Sequence, residues 1–372
     1  MSNTHCCKAC SGELLNPNIR LYELPTITSD CRPWPSGRSI AACQSCGLMQ
    51  RVLLPEVASL FEGVYADYEM FKHARVTSDQ LNFALNEIPV GRTQKILHFI
   101  VDKLTRTPLF VLDIGSGSGA GLMALANQFP DARIYGYEPN DRVQDKQTVF
   151  PSNVAIMKQL PPEGKKYDLI TLFHVLEHIE NVLELFDFIA SRLTPGGQVL
   201  IQVPYSAYNP FDFVIADHVW HFSKRSLASL LNKSHFVEMY MGNESIEKEL
   251  TALIVPGERC SLLMEPDEER HEIESIAWLL RYKTFLEDLK KDKREFAVYG
   301  TGPAGAWTGL ALGNHVIAYV DDDPARVHSK FNGKPILSPQ EISKFLPVIA
   351  AFPDHHTRWI AKKNKDLNIV SM

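Results

Sequence analysis

A glycine-rich turn directly after a short apolar run is the strongest constraint on the fold of this chain. The run Phe110–Ile114 leads into Gly115–Gly119, with sequence GSGSG, and a second apolar run, Ile134–Tyr137, ends at Glu138. Short apolar runs of this kind predict buried parallel strands. Glycines in the turn let backbone N–H groups approach a ligand, and an acid ending the next strand accepts hydrogen bonds from ribose hydroxyls. The sequence therefore predicts an α/β fold with a nucleoside site at the turn.

Asp113, two residues before the first glycine, narrows the ligand class. A carboxylate there would repel a pyrophosphate but attracts an ammonium or sulfonium group. Asp113–Gly119 with Glu138 resembles motif I and the ribose-binding acid of class I S-adenosylmethionine (SAM) methyltransferases. The resemblance implies SAM contacts from the turn and from neighbouring strand ends, namely Asp113, Gly115, Ser116, Gly117, Gly119, Glu138, Pro139, Gln159, Leu160, Phe173 and His174. The alternative is a structural glycine turn in another α/β protein.

Strand and helix patterns alternate over residues 108–245, as a parallel sheet requires. Tyr167–Phe173 predicts a strand, Glu180–Leu193 a helix, and Gln198–Val203 another strand after a Pro-Gly-Gly turn. This order resembles the later half of a class I methyltransferase sheet. We therefore expect a Rossmann-like class I sheet in this part of the chain.

Six of the seven cysteines lie before residue 47. Cys7 and Cys10 form one Cys-x-x-Cys knuckle and Cys43 and Cys46 another, which is metal-ligand spacing. Four thiolates would close a tetrahedral zinc site and leave no open position for chemistry. Cys6 is an alternative ligand to Cys7, and Cys31 is left over. The pattern predicts a structural zinc module.

Charge and hydropathy exclude several partners. The net charge is −6 and the 38 Lys and Arg residues are dispersed, which argues against a nucleic-acid substrate. No window approaches eighteen apolar residues, and the first residues lack a signal-peptide pattern. We expect a cytoplasmic protein without a membrane partner. The oligomeric state is left open.

A second glycine-rich turn, Gly300–Gly305, follows the apolar run Phe296–Tyr299 and precedes Val316–Val320 and Asp321–Asp323. Its GxGxxG spacing, taken alone, suggests NAD. Only about forty residues follow residue 330, too few for the substrate domain of a dehydrogenase. We predict a small Rossmann-like domain whose glycines serve packing or hold a nucleotide portion of the substrate.

The order of these parts resembles the sugar C-methyltransferases, which act on nucleotide-linked deoxy-keto-sugars. The similarity spans nearly the whole chain, from Cys-x-x-Cys-Gly-Leu at the second knuckle to Tyr-Gly-x-Gly near the C-terminus. In that family the C-terminal domain helps to hold the nucleotide-sugar. We divide the chain into a zinc-binding module (1–60), a helical connector (61–107), a SAM domain (108–245), a linker with a long helix (246–293) and a Rossmann-like C-terminal domain (294–372).

Methyl transfer to carbon requires a base, because carbon becomes nucleophilic only after a proton beside a carbonyl is removed. Asp217–Ser223 resembles the family segment Glu-His-x-x-Tyr-Phe-Ser, whose histidine is the general base. The resemblance implies that His218 is the base and Asp217 its orienting acid. The alternative is that Asp217 and His218 cap a helix beginning near Ser223.

Two tyrosines of that family are missing, because His221 and Ile215 stand at their positions. Stabilisation of an enolate would then fall to Tyr68 or Tyr65 in the connector, or to His221 itself.

The remaining histidines have weaker interpretations. His174 and His178 are four residues apart, a spacing that invites a metal or catalytic interpretation. We expect backbone contact with SAM near His174, and we expect His178 to pack a helix. His355 and His356 are expected at the surface.

These features together predict a SAM-dependent C-methyltransferase that acts on a nucleotide-diphosphate deoxy-keto-sugar through a base-generated enolate. The absent tyrosines favour one alternative, O- or N-methylation of a small metabolite or sugar. A further alternative is a non-catalytic nucleotide-sugar binding protein with a defunct SAM site.

Overall fold

The structure is a computed structural model. It describes residues 6–15, 21, 24–34, 40–52, 83–85, 88–140, 149–258, 268–351 and 360–372. In this part of the chain no helix is both long and apolar enough to cross a membrane.

The N-terminal part consists of short antiparallel strand pairs. Its strands are β1 (Thr26–Ile27), β2 (Pro33–Trp34), β3 (Ile40–Ala42) and β4 (Met49–Arg51), followed by β5 (Phe83–Leu85) and β6 (Ile88–Val90). β1 pairs with β2, β3 with β4, and β5 with β6. Helix α1 (Arg92–Ile100) then begins and continues into a 3-10 turn, Val101–Lys103.

A seven-stranded sheet forms the centre of the molecule. Its strands are β7 (Phe110–Ile114), β8 (Arg133–Tyr137), β9 (Val154–Met157), β10 (Tyr167–Phe173), β11 (Leu193–Pro204), β13 (Phe236–Gly242) and β14 (Glu249–Pro256), in the order β13-β14-β11-β10-β7-β8-β9. The pairs from β9 across to β11 are parallel, whereas β14 is antiparallel to both of its neighbours. Parallel neighbours align their carboxyl ends, so one edge of the sheet collects the turns after β7, β8, β10 and β11.

Helices cover the sheet and complete the alternation that the sequence predicts. They are α2 (Ala120–Gln128), α3 (Val182–Arg192) and α4 (Lys224–Lys233), with 3-10 turns at Leu176–His178 and Pro210–Val214. The predicted Rossmann-like α/β architecture is confirmed. Strand β14, beyond the predicted domain end at residue 245, pairs with β11 inside the sheet.

One short strand of the central part, β12 (Trp220–His221), leaves the main sheet. It pairs with β4, with Trp220 opposite Gln50 and His221 opposite Met49. The segment that carries the predicted base therefore belongs to the same small sheet as the N-terminal part.

The C-terminal part is a second Rossmann-like unit. Helix α5 (Glu268–Lys291) precedes β15 (Phe296–Tyr299), α6 (Pro303–Leu312), a 3-10 turn at Gly313–His315, β16 (Val316–Val320), β17 (Lys330–Phe331), β18 (Lys334–Leu337), β19 (Pro347–Ala350) and β20 (Asn368–Val370). The sheet order is β17-β18-β16-β15-β19-β20. Trp307 on α6 is buried and donates its ring N–H to the carbonyl of Pro25, 2.8 Å away. The N- and C-terminal parts therefore share a core.

Candidate active site

The turn after β7 is joined to Glu138 by backbone hydrogen bonds. One carboxylate oxygen of Glu138 accepts from the N–H of Gly117 (3.0 Å) and the other from the N–H of Asn140 (2.9 Å). Burial raises the pKa of Glu138, although these hydrogen bonds oppose the shift. The acid and the turn are thus held as one unit at the edge where β7 and β8 end.

The turn depends on glycine at Gly119 and, less obviously, at Gly136. Gly119 has φ +88°, in the left-handed region, and a Cβ there would lie 2.4 Å from the Phe150 ring. Gly136, on β8, allows the turn to lie against the strand, since a Cβ would stand 2.6 Å from the Ser116 hydroxyl oxygen and 2.7 Å from Leu122. Gly136 was not among the predicted site residues. Its signal in the sequence is a lone glycine within a strand, which marks close backbone approach.

Asp113 is buried at the end of β7, with 2% of its surface exposed. Its carboxylate accepts a hydrogen bond from the Thr171 hydroxyl, 2.6 Å away. Burial raises the pKa of Asp113 to about 7, the Thr171 hydrogen bond lowers it, and the nearby charge of Glu138 adds to the rise. A Cβ on Gly121 would lie 3.3 Å from this carboxylate, so the absence of a side chain there keeps the space beside Asp113 open.

These residues fit a cationic nucleoside such as SAM. Asp113 is a buried carboxylate without a cation among its hydrogen-bond partners, and the Ser116 hydroxyl is buried without a partner in the described part of the chain. A bound ligand with a positive charge and polar groups would satisfy both. Gln159 and Leu160 follow β9 and are exposed, at the edge of the sheet where the predicted adenine contact would be made.

The end of β10 begins a buried chain of histidines and carboxylates. His174 has φ +55°, and its ring lies 3.2 Å from Glu177 Oε1 and 3.0 Å from Glu249 Oε2. Arg92 lies 3.7 Å from the other oxygen of Glu249. Burial raises the pKa of Glu177, but the hydrogen bond and charge of His174 outweigh it and lower the pKa. The predicted cofactor residue His174 is therefore tied to a carboxylate that the sequence analysis did not select.

Glu177 in turn connects this chain to the predicted base. Glu177, His178 and His218 each have a side-chain nitrogen or oxygen atom within 4.8 Å of those of the other two. The rings of His178 and His218 meet edge to face, with centroids 4.7 Å apart. The end of β10 and the segment after β11 thus meet at Glu177.

The acid that orients His218 is Asp212, not Asp217 as expected. Nδ1 of His218 donates to Asp212 Oδ1 at 2.6 Å, because an ionised carboxylate can only accept. Asp217 lies instead against His178, whose Nδ1 is 3.0 Å from the Asp217 carbonyl oxygen and 3.4 Å from its carboxylate. Residues 216–217 form a turn, and the Asp217 carboxylate lies against His178 and not its sequence neighbour.

Asp217 is fixed by the N-terminal part of the chain. The backbone N–H of Ser29 donates to one oxygen of Asp217 at 2.7 Å, and the Ser29 hydroxyl donates to the other at 2.5 Å.

The helix after this segment has its own cap, since Ser223 and Ser226 form a reciprocal capping box at the start of α4. Asp217 and His218 therefore do not cap that helix, and the capping alternative is wrong.

The remaining residues discussed for enolate stabilisation are buried or lie outside the described residues. His221 is fully buried, and its Nδ1 lies 2.6 Å from Asp212 Oδ2. Ile215 is also buried and forms a bridge to Ile27. Tyr68 and Tyr65 lie outside the described residues, as do His355 and His356.

The four predicted metal ligands converge. The sulfur atoms of Cys7, Cys10, Cys43 and Cys46 lie within 4.8 Å of one another, with 3.8 Å between Cys7 and Cys46 and 3.3 Å between Cys10 and Cys43. Tetrahedral zinc with Zn–S bonds of about 2.3 Å places its sulfurs about 3.8 Å apart. The donor set therefore fits zinc. Cys6 bridges to Glu13 outside this group, and Cys31 packs in the core shared with the C-terminal part.

One glycine of the second glycine-rich turn, Gly305, is required for packing. A Cβ on Gly305 would lie 2.0 Å from the Gly300 carbonyl oxygen, so Gly305 lets α6 approach β15. Asp321, at the end of β16, accepts from the Thr301 hydroxyl at 2.5 Å, and buried Arg326 lies 3.5 Å from Asp321 and Asp323. Two of the acids that could bind a ribose thus form ion pairs with one buried arginine of the same domain.

Comparison with known proteins identifies the central domain. Residues 87–237 match the family model described as "Methyltransferase domain". The methyltransferase str3 of Strobilurus tenacellus is 30% identical over 99 residues, which are 25% of this chain and 35% of that protein. A trans-aconitate 2-methyltransferase of Escherichia coli is 27% identical over 128 residues, 32% of this chain and 50% of that protein. The chain thus spans a third to a half of the length of these relatives.

Solved structures with a similar central part are also methyltransferases. The plantazolicin methyltransferase BpumL, solved in complex with S-adenosylhomocysteine (SAH), is 14% identical, with a TM-score of 0.38 over 44% of this chain and 82% of that chain. The mitomycin 7-O-methyltransferase MmcR is 16% identical, with a TM-score of 0.36 over 45% of this chain and 53% of that chain. The family match, together with the turn at Asp113 and Glu138, defines residues 87–237 as a class I SAM-dependent methyltransferase domain.

Proposed function

We propose that this chain is a SAM-dependent C-methyltransferase of a nucleotide-diphosphate deoxy-keto-sugar. One observation carries the proposal: a buried histidine, His218, is held by a carboxylate at the edge of the sheet where the cofactor turn lies. A hydroxyl or amine acceptor needs less help from a base than a carbon acceptor does. The order of parts along the chain, by its resemblance to the sugar C-methyltransferases, supplies the substrate class.

In this proposal the residues of the first turn hold the cofactor. Asp113 would face its charged methionine end, Glu138 its ribose, and the N–H groups of the turn its polar atoms. SAM, when bound, supplies an electrophilic methyl group. The acceptor would lie between that edge of the sheet and His218.

His218 is suited to act as a base through Nε2. Because the Nδ1–H group donates a hydrogen bond to Asp212, the lone pair of the neutral ring lies on Nε2. Nε2 would take the proton beside the ketone, and the electron pair of the broken C–H bond would form the enolate. The new charge on His218 would be stabilised by Asp212. The enolate carbon would then bond to the methyl group as the methyl–sulfur bond breaks, and SAH would leave with that electron pair.

The cysteine cluster is proposed to bind a structural zinc ion. Four thiolates satisfy a tetrahedral ion without an open position, so no catalytic step is assigned to it. The ion would fix the loop that leads into β4, and β4 pairs with the strand that carries His221. Zinc would thereby stabilise the segment that carries His218.

Deuterium exchange tests the base directly. The protein is incubated in D₂O with SAH and a thymidine-diphosphate 4-keto-deoxy-sugar, and deuterium at the carbon beside the ketone is measured by NMR. We expect exchange with the wild type and its loss in His218→Gln, while SAH binding by calorimetry persists in both. Exchange at the wild-type rate in His218→Gln would refute the base assignment.

Transfer of labelled methyl groups from SAM then locates the product. Label on carbon supports the proposal, and label on oxygen or nitrogen replaces it with the second candidate.

That second candidate is O- or N-methylation of a small metabolite or sugar. It is favoured by Ile215, a buried aliphatic residue where the resembling family has a tyrosine that could stabilise an enolate. Failure of the wild type to bind SAH would instead support a non-catalytic nucleotide-sugar binding protein.

A further inference from the structure

One carboxylate in the site serves two histidines at once. Asp212 Oδ1 contacts Nδ1 of His218 and Asp212 Oδ2 contacts Nδ1 of His221, each at 2.6 Å. All three side chains are at least 96% buried. Each carboxylate oxygen of Asp212 is thus hydrogen-bonded to one imidazole. Because the two rings share this buried carboxylate, protonation of one ring changes the proton affinity of the other.

The three side chains are held by different backbone elements. Asp212 lies in the 3-10 turn Pro210–Val214, whose end is closed by the N–H of Ile215 bonding to the Asp212 carbonyl. His221 lies on β12, opposite Met49 of β4. His218 lies on the chain between them. Because two of the three positions are fixed by regular hydrogen bonding, the group is preorganised before any ligand binds.

His221 contacts the oxygen of Asp212 that His218 does not use, and its side chain has no exposed surface. Its ring packs on Phe213, with centroids 5.1 Å apart. His218 is also in contact with Glu177 and His178, which lead to the cofactor edge. The expected role of His221 as a donor to the enolate stays a prediction.

We infer that Asp212 and His221 are positioning residues that act on His218 as one unit: Asp212 fixes the ring and its tautomer, and His221 sets, through Asp212, how strongly this carboxylate attracts a proton to His218. The inference deepens the proposed function and rests on it only in naming His218 as the base. The contacts themselves, and the test below, require no acceptor.

Charges around the unit determine the expected direction of each effect. His218 is faced by Asp212, Glu177 and Asp217, and by the histidines His178 and His221. Burial lowers the pKa of His218, but the hydrogen bond and charge of Asp212 outweigh burial and raise it above 6.5. Burial would raise the pKa of Asp212, but the two histidines hold it far below its ordinary range. Removing the Asp212 charge must therefore lower the pKa of His218, whereas removing a charged His221 must raise it.

Histidine NMR on the full-length protein loaded with SAH measures both effects. The protein is labelled with ¹³C and ¹⁵N in its histidine rings, and His218→Gln identifies the His218 signal. In the wild type we expect ¹⁵N shifts of the Nδ1–H tautomer for His218 and, where it is neutral, for His221. The tautomer is measured in the wild type and uses His218→Gln only to assign the signal, so misfolding of an Asp212 or His221 variant does not remove the test.

Two matched variants give opposite predictions. Asp212→Asn should lower the proton affinity of His218 tenfold or more, and His221→Gln, which keeps a donor for Asp212 but no charge, should raise it. In the double variant the effect of His221→Gln on the His218 titration should be smaller than its effect in the wild-type protein, because His221 acts on His218 through Asp212. Circular dichroism and SAH titration verify the fold of each variant.

The same measurements can overturn the inference. An Nε2–H tautomer at His218, an unchanged His218 titration in Asp212→Asn, or an equally large effect of His221→Gln with and without Asp212→Asn would each do so. None of these outcomes bears on deuterium exchange, so the unit and the proposed reaction fail separately. If exchange is observed, its lower pH limit should move with the His218 titration in each variant.

Discussion

Replacing Asp113 with asparagine should abolish a pH dependence of SAM binding. Burial holds the pKa of Asp113 at about 7 when no cation is present, against an ordinary value of 3.8. A bound sulfonium and ammonium would favour the ionised carboxylate and lower that pKa again. Binding below pH 7 must therefore release a proton, so the affinity rises as pH increases toward 7 and is constant above it.

The magnitude follows from the same shift. Below pH 7, affinity should fall by up to tenfold for each pH unit, or about 1.4 kcal/mol. The ceiling is the full distance from about 7 to 3.8, which corresponds to about 4 kcal/mol. Glu138, whose pKa is also raised by burial, is present in both proteins, so its contribution is removed when wild type and variant are compared.

Isothermal titration calorimetry provides the assay. SAM is titrated into wild type and Asp113→Asn at pH values of about 5.5, 6.5 and 7.5, each in two buffers of different ionisation enthalpy, which counts the protons released. The wild type should release close to one proton near pH 6 and the variant close to none. A wild-type affinity that is flat over this range, or an equal slope in the variant, would refute the role of Asp113 as the carboxylate that faces the cofactor charge.

Three further substitutions test other parts of the molecule. Cys46→Ser should abolish bound zinc measured by mass spectrometry, whereas Cys31→Ser should retain it, because Cys31 lies outside the cluster; equal zinc in both variants would contradict the site. Gly136→Ala should weaken SAH binding at least tenfold, since its Cβ would displace the cofactor turn, and Gly302→Ala, with open space around its Cβ, should bind as wild type does. Ser29→Ala removes the side-chain hydrogen bond to the buried carboxylate of Asp217 and keeps the backbone one, and it should lower stability by about 1–3 kcal/mol, seen as a lower melting temperature; an unchanged melting temperature would argue against that contact.

The sequence predicted features that depend on local pattern. Apolar runs and glycines located the strands and the turn at Asp113, because burial on both faces of a parallel strand leaves a direct record in composition. The two cysteine knuckles were likewise recognisable, since each pair is fixed by its own two-residue spacing. Both predictions place residues that lie close together in the chain.

The same reasoning failed where partners are distant in the chain or lie across a turn. Asp217 was expected to orient His218 because it is its neighbour in sequence, yet residues 216–217 form a turn and Asp212 supplies the carboxylate. The contact between Ser29 and Asp217 joins residues 188 positions apart, and no local pattern announces it. An aspartate directly after Pro-Phe, at the start of a tight turn, was the one available signal for Asp212.

Because β4 pairs with β12, the methyltransferase domain cannot be excised or exchanged without losing contacts to the N-terminal part. The matched region, residues 87–237, begins after β4 and ends within β13, so an excised fragment would lack β14, most of β13 and the partner of the strand that carries His221. Conversely, a chimaera that exchanged only the N-terminal 52 residues with those of a relative would import a new neighbour for the His218 segment. Acceptor preference in such chimaeras should therefore follow the origin of the N-terminal module as well as that of the domain that binds the cofactor.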